Sequence, residues 1–246
     1  MKIILSPSKT QNQERKRKEK GEEILKEVKT KKLFDYLKSL PKDKLKTELD
    51  IQGSLLDRTY ALYQDHSFDD NETIPAIECY NGAVFKQIDL YNYDIDQFSY
   101  MQKKLVILSP MYGPIGSDTE IWPYRLEMKL KPNGISLYKY WQEIMNDYFA
   151  DVDLILNLAS NEYSKVVKNN YQGKIIDFYF KEEKEDGSLK TIGYYVKQNR
   201  GKLLNQLIKR HVKNLDQIKE IDLDGYKFND KRSDEENFRF IKPYKK

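Results

Sequence analysis

The sequence predicts a mixed α/β fold: one compact domain over residues 1–246, with a mixed central sheet surrounded by helices. Three observations lead there. Short apolar runs rich in β-branched residues alternate with stretches of helical periodicity, the pattern of strands and helices layered on one core. Three of those runs, in "KIILSP", "KLVILSP" and "LILNLAS", stop abruptly at small polar residues. No gross internal repeat and no evident linker divides the chain, which is long enough for a large core.

The elements follow in order. Residues 2–6 read as a short buried strand. The polar segment "KTQNQERKRKEKGEE" comes next. Between Lys9 and Lys46 there are 14 basic and 7 acidic residues. Within it "KRKEK" reads as a solvated loop, with a nucleic-acid arm as the alternative. From Glu22 the period becomes helical, with Ile24, Leu25, Val28, Leu33, Leu37 and Leu40 on the apolar face and Pro41 as the stop. Further helices are expected from near Lys42 and over Asp50–Tyr63, before the polar loop "QDHSFDDNETI". Asn81-Gly82 marks a turn. Asp94–Lys104 reads as a helix with Ile95, Phe98 and Tyr100 supplying apolar contacts. "KLVILSP" is a buried strand, and Gly113, Pro114 and Gly116 argue against a regular element after it. "GISLYKYWQEIMNDYFA" is a helix, and Leu154–Leu158 is a third buried strand. Ser160 is the N-cap of the next helix, with Tyr163 at its third position. "KIIDFYFKEE" and "KTIGYYVKQN" read as two strands of a hairpin turned at Asp186-Gly187. "RGKLLNQLIKRHVKN" is a helix striped by Leu204, Leu207, Ile208 and Val212. "LDGYKFN" and "NFRFIK" close the chain as two short strands.

Composition excludes more than it assigns. The net charge of +4, from 43 basic and 39 acidic residues, is a weak argument for a polyanion partner, so nucleic-acid binding must come from local clustering. The single cysteine, Cys79, excludes an intrachain disulfide and suits a reducing cytoplasm. Two distant histidines, His66 and His211, argue against a zinc or non-haem iron site, and neither metal nor cofactor is expected. No apolar run approaches the roughly 20 residues of a membrane span, and "KIIL" is far too short for a signal-peptide core. The expected location is cytoplasmic.

In open α/β sheets ligands bind beyond the carboxyl ends of the strands. The first such end offers Ser6, Ser8, Lys9 and Thr10. The second offers Tyr112 and Gly113 and, further on, Tyr124, Arg125 and Glu127. The third offers Asn157, Ser160, Asn161, Glu162, Tyr163 and Lys165. These types fit an anion. Lys9 and Arg125 would neutralise a phosphate or carboxylate, and N–H groups at the helix start near Ser160 would add donors. Glu127 and Glu162 would orient the cations or carry protons, as would Tyr163. Arg125–Glu127 and Glu162–Lys165 read equally well as structural ion pairs.

Other motifs carry less. Ser6 and Lys9 have the S-x-x-K spacing of Ser/Lys acyl-transfer enzymes, but there the serine opens a helix, and here it follows a strand. No phosphate-loop or dinucleotide glycine pattern is present. Cys79 reads as a buried thiol, and Trp122 and Trp141 as packing.

Several segments together resemble one family. They are "ILSPSKT", "YNGAVF", "LSPMYGPIGSDTEIWPYRLEMKL", "LNLASNEYSKVVK", "KQNRGKLLNQLIK", "DGYKFN" and "FRFIK", reaching from residue 3 to residue 242. The chain resembles the YaaA family of bacterial peroxide stress proteins. The resemblance implies a compact α/β fold with a basic cleft, here placed at the strand ends. It also implies a helix-hairpin-helix-like element, double-stranded DNA binding, and a role in limiting damage from hydrogen peroxide and intracellular iron. It implies no defined enzyme reaction. Carried over by motif, the residues of interest are Ser6, Lys9, Thr10, Tyr112, Tyr124, Arg125, Glu127, Asn157, Ser160, Glu162, Tyr163, Lys165 and Arg200. Phosphate-gripping cations would be Lys9, Arg125, Lys165, Lys168, Lys197, Arg200 and Lys202. The sequence departs from the family at Ala83, where an acidic residue is usual, at Pro110, where glycine is usual, and at Ile115–Ser117, which lack a cation. Pro110 has no N–H to offer a phosphate, which argues against a DNA-gripping hairpin there. The expectation is a peroxide-response protein that binds double-stranded DNA; the alternative is an enzyme acting on a small anionic metabolite or nucleotide in the same cleft. In that case Glu127, Glu162 or Tyr163 would carry protons.

Overall fold

The computed structural model describes residues 1–16, 21, 27–66 and 73–244. The run Arg17–Lys20, Ile24 and Leu25, and most of the "QDHSFDDNETI" loop lie outside the described residues. In chain order the helices are α1 (Glu27–Ser39), α2 (Lys42–Leu49), α3 (Gly53–Asp65), α4 (Ala76–Cys79), α5 (Ile95–Lys104), α6 (Leu137–Phe149), α7 (Asn161–Lys168), α8 (Gly193–Lys209) and α9 (Leu215–Lys219). The strands are β1 (Lys2–Leu5), β2 (Ile74–Pro75), β3 (Leu105–Ser109), β4 (Gly113–Gly116), β5 (Glu120–Ile121), β6 (Leu154–Asn157), β7 (Lys174–Glu183), β8 (Leu189–Lys190), β9 (Asp222–Leu223), β10 (Tyr226–Phe228) and β11 (Asn237–Lys242).

The main sheet is mixed and runs β4-β3-β1-β6-β7-β11-β10-β9, with β8 pairing β7. The five strands from β3 to β11 are mutually parallel. Parallel strands need both faces covered, and all five residues of β3 are buried, as are Ile3, Ile4 and Leu5 of β1. The register aligns their carboxyl ends. Leu5 lies opposite Ile107, Ile4 opposite Asn157, and Asn157 opposite Asp177. The three strand ends read from sequence therefore meet at one rim.

Local chemistry explains some of the helix boundaries. Asp94 caps α5 by accepting from the Gln97 N–H at 2.8 Å, and Gln97 returns the bond in a capping box. Asp50 ends α2 in the left-handed conformation, and α3 begins only at Gly53, three residues later than the periodicity suggested. The apolar stripe of α8 packs as expected, with Leu204, Leu207 and Ile208 fully buried. Val28 and Ile95, placed on apolar faces by their spacing, are instead among the most exposed hydrophobic residues.

Two elements differ in kind from the sequence reading. Gly113–Gly116 is a strand after all, paired antiparallel with β3. It lies at the sheet edge, where Pro114 is tolerated because one row of backbone groups needs no ladder partner. The stretch "GYYVKQN", read as the second strand of a hairpin, forms the first two turns of α8. The hairpin itself is present but short, since β8 pairs with Glu182 and Glu183 through two residues only.

Candidate functional site

Beyond the aligned strand ends lies a cleft of about 430 Å³. One wall is the segment after β1, bearing Ser6, Ser8, Lys9 and Thr10. This segment is strapped to the "CYNG" turn. Asn81 N–H donates to Thr10 C=O at 2.9 Å, and Asn12 N–H to Cys79 C=O at 2.7 Å. The turn itself, Gly82 to Phe85, forms a second wall, and α8 closes a third with Lys197 and Arg200. Glycines permit these approaches: a Cβ on Gly82 would lie 2.4 Å from Ser8 Oγ, and one on Gly201 only 2.1 Å from Val84 O.

Ser160 occupies the N-cap position of α7 but makes no side-chain capping bond. Instead its N–H donates to Ser6 Oγ at 2.9 Å. The pair ties the end of β1 to the start of α7. Tyr163, at the third position of α7, is buried at the cleft wall. Burial, aided by the charges of Glu162 and Glu127, pushes its phenol above the ordinary value.

Charge is organised around Glu127, which is only 7% exposed. Lys9 Nζ lies 2.6 Å from its carboxylate, Arg125 at 3.3 Å and Lys129 at 3.5 Å. Burial alone would push this carboxyl up. The Lys9 hydrogen bond and the charges of Lys9, Lys129 and Arg125 outweigh it and hold the carboxyl below its usual range. A general base works best with a pKa near the operating pH. Glu127 is displaced away from neutrality, and so is Tyr163 in the opposite sense. Neither is tuned to carry protons.

A group with a depressed folded-state pKa contributes stability above its unfolded value, and that contribution fades as pH falls through the folded one. The stability gap between wild type and Glu127→Gln should therefore be full at pH 7 and shrink below roughly pH 4. Urea denaturation at the two pH values reads it, and a gap independent of pH would contradict this account.

Arg200 is placed differently. It makes no ion pair with a described residue, and its buried Nε has no hydrogen-bond partner. Burial pulls its pKa down, with the charge of Asp177 opposing. Lys197, three residues earlier on α8, is exposed at the same cleft and likewise makes no ion pair with a described residue. Arg200 also lines a second, smaller cavity of about 230 Å³ beyond the end of β6, whose lining includes Asn157 and Asp177.

Of the residues singled out from sequence, Ser6, Lys9, Thr10, Ser160, Glu162, Tyr163, Lys197 and Arg200 line the cleft. Arg125 and Glu127 join it through Lys9. Asn157 belongs to the smaller cavity, where it donates to Asp177 at 2.6 Å. The others lie elsewhere. Tyr112 is buried and donates to Trp122 C=O, and Tyr124 is buried in a hydroxyl chain with Tyr80 and Ser109. Lys165 sits over the Tyr138 ring at 5.6 Å, Lys168 pairs with Asp177 at 2.6 Å, and Lys202 pairs with Asp224. Cys79 is buried, which pushes its thiol up to about 12. Sequence reasoning missed the Gly82–Phe85 wall, although Asn81-Gly82 signalled the turn. It missed Thr191 and Val196 of the smaller cavity because they fell in the supposed strand.

The stretch around Pro110 is no helix-hairpin-helix. It is the buried turn between β3 and β4, and the N–H groups of Met111 and Tyr112 donate to Ser109 Oγ at 3.2 and 3.1 Å. Among the described residues no group of three or more His, Cys, Asp or Glu could hold a metal ion, and no helix is long and apolar enough to cross a membrane.

Fold and site thus define an α/β protein whose parallel strands open onto a polar cleft edged by lysine and arginine. Comparison with known proteins gives the family. Residues 1–232 match the model described as peroxide stress protein YaaA. A UPF0246 protein of Fusobacterium nucleatum is 38% identical over 98% of this chain and 99% of its own length. UPF0246 proteins of Malacoplasma penetrans and Desulfitobacterium hafniense are each 35% identical, over 99% and 98% of this chain and 100% and 98% of their own lengths. The chain belongs to the YaaA/UPF0246 family of peroxide stress proteins.

Proposed function

We propose that the cleft grips the phosphate backbone of double-stranded DNA. In this reading the protein serves the cytoplasmic response to peroxide, limiting iron-dependent oxidative damage by occupying DNA rather than by holding iron. The observation that carries the reading is the Arg200 guanidinium, whose buried Nε has no hydrogen-bond partner among the described residues, on the same cleft as Lys197, which makes no ion pair among them. A buried donor left without an acceptor is costly, and a phosphate oxygen would satisfy it through a charge-assisted bond, adding to the charge of Asp177 that already acts on Arg200. Lys9 adds a third cation, shared with Glu127.

Binding through three phosphate contacts should give a salt slope of about −2.7, a loss of roughly 40-fold between about 50 and 200 mM salt. Arg200→Gln should weaken duplex binding and flatten the slope by about 0.9. Fluorescence anisotropy with a labelled duplex measures both. A flat salt response, or an Arg200→Gln variant that binds like wild type, would sink the proposal.

The volume of the cleft favours a second reading. At about 430 Å³ it lies within the range of roughly 300–1,000 Å³ usual for small-molecule sites. A small phosphate-bearing anion would use the same cations. Glu127 and Tyr163 are both displaced away from neutrality, so this reading is one of binding.

A further inference from the structure

The smaller cavity marks a break in the sheet. The ladder from β6 to β7 ends at Asp177, and the ladder from β8 to the same side of β7 begins at Glu182. Residues Phe178 to Lys181 therefore have no strand partner on that side among the described residues, although β11 pairs the other side throughout. Asp177 N–H donates toward β11, to Glu236 C=O. Alternation along a strand then turns the N–H and C=O of Phe180 toward the break. A backbone donor and acceptor stand side by side there, unclaimed by any strand. Ala159, Asn161, Thr191, Val196 and Arg200 complete the lining, so Arg200 borders both cavities.

We propose that the two cavities together receive one nucleoside monophosphate unit, its phosphate in the larger beside Lys197 and Arg200 and its base in the sheet break. A planar heterocycle carries an adjacent donor and acceptor on its edge, which is what the backbone of Phe180, lining this cavity, can pair. The Asn157 and Asp177 residues of the lining offer further polar contacts. Each Asp177 oxygen already accepts one bond, from Asn157 and from Lys168, and retains capacity for a second. The inference rests on the phosphate reading of the cleft and adds the base slot. The unit can come from a free nucleotide or from an unpaired nucleotide in a DNA strand.

The test uses the whole chain and four probes: adenosine 5′-monophosphate, ribose 5-phosphate, a paired duplex, and the same duplex with one bulged adenosine. Wild type should bind adenosine 5′-monophosphate about tenfold tighter than ribose 5-phosphate, or the bulged duplex about tenfold tighter than the paired one. The first result identifies free nucleotide as the source, the second a DNA strand. Thr191→Trp, at an exposed position, should fill the break and erase whichever preference is found, while leaving ribose 5-phosphate or paired-duplex binding within about twofold. If neither base-bearing probe is preferred, or if the preference survives Thr191→Trp, the base slot is wrong. Salt-dependent binding of the paired duplex would still stand in that case, so the two proposals fail separately.

Discussion

Gly201→Ala should destabilise the protein by about 2 kcal/mol and distort the cleft, although helix propensity predicts the opposite sign. Gly201 lies inside α8, where alanine is normally better by about 1 kcal/mol. Here a Cβ would stand 2.1 Å from the carbonyl oxygen of Val84 and 2.9 Å from Gln87 Cβ. The nearest obstacle is backbone, so relief requires α8 to move away from the turn. Overpacking of this kind costs about 1–3 kcal/mol, and a contact this short belongs at the upper end. The same movement would shift Lys197 and Arg200, so anion binding should fall together with stability. Urea denaturation and phosphate-dependent thermal shift measure the two. A variant as stable as wild type would mean that the approach of α8 to the turn is looser than described.

The second large effect is at Trp141. Its indole is fully buried and donates to Pro110 C=O at 2.8 Å. Trp141→Ala should cost about 3–5 kcal/mol, with an orphaned carbonyl added to the cavity. Gly113 makes the case more specific. It has φ of +78°, and a Cβ there would meet the indole at 2.8 Å. Gly113→Ala alone therefore suffers both the strained backbone and the clash. In a Trp141→Ala background the clash disappears and only the backbone strain, about 1 kcal/mol, remains. The two substitutions should be non-additive by about 1 kcal/mol or more in a double-mutant cycle. Strict additivity would show that the indole does not bear on Gly113.

The strand ends were legible in the sequence for a physical reason. A strand buried on both faces must be apolar to its last residue, so "LSP" and "NLAS" mark the rim plainly. Cleft residues immediately after those ends, Ser6, Lys9 and Ser160, followed from position alone. What was not legible depended on partners distant in sequence. "GYYVKQN" looks like a strand by composition, and its N-cap, Ile192, supplies no side-chain bond to announce a helix. Packing of α8 against the "YNG" turn overrides the local preference, and the two cations of that helix enter the cleft only because it does. Tyr112 and Tyr124 sit close to a strand end in sequence, yet their hydroxyls are bonded inside the core. Nothing in their spacing distinguishes a phenol at a rim from one beneath it. The sheet break beside Phe180 was invisible in principle, since it is the space between two ladders.

The position of β1 has a consequence for how the chain is made. Strand β1 is central to the sheet, yet both its neighbours come later in the chain, β3 about a hundred residues on and β6 about a hundred and fifty. Its apolar residues cannot be covered on both edges until Asn157 has emerged. At about 5–20 residues per second, that is a wait of roughly 8–30 s during which "KIIL" has no native partner on one edge. Such long-range parallel pairing is slow and exposed to aggregation. The run of charged residues that follows in the sequence, from Lys9 onward, suits a gatekeeper, which keeps a nascent strand apart from its copies until the sheet can close around it.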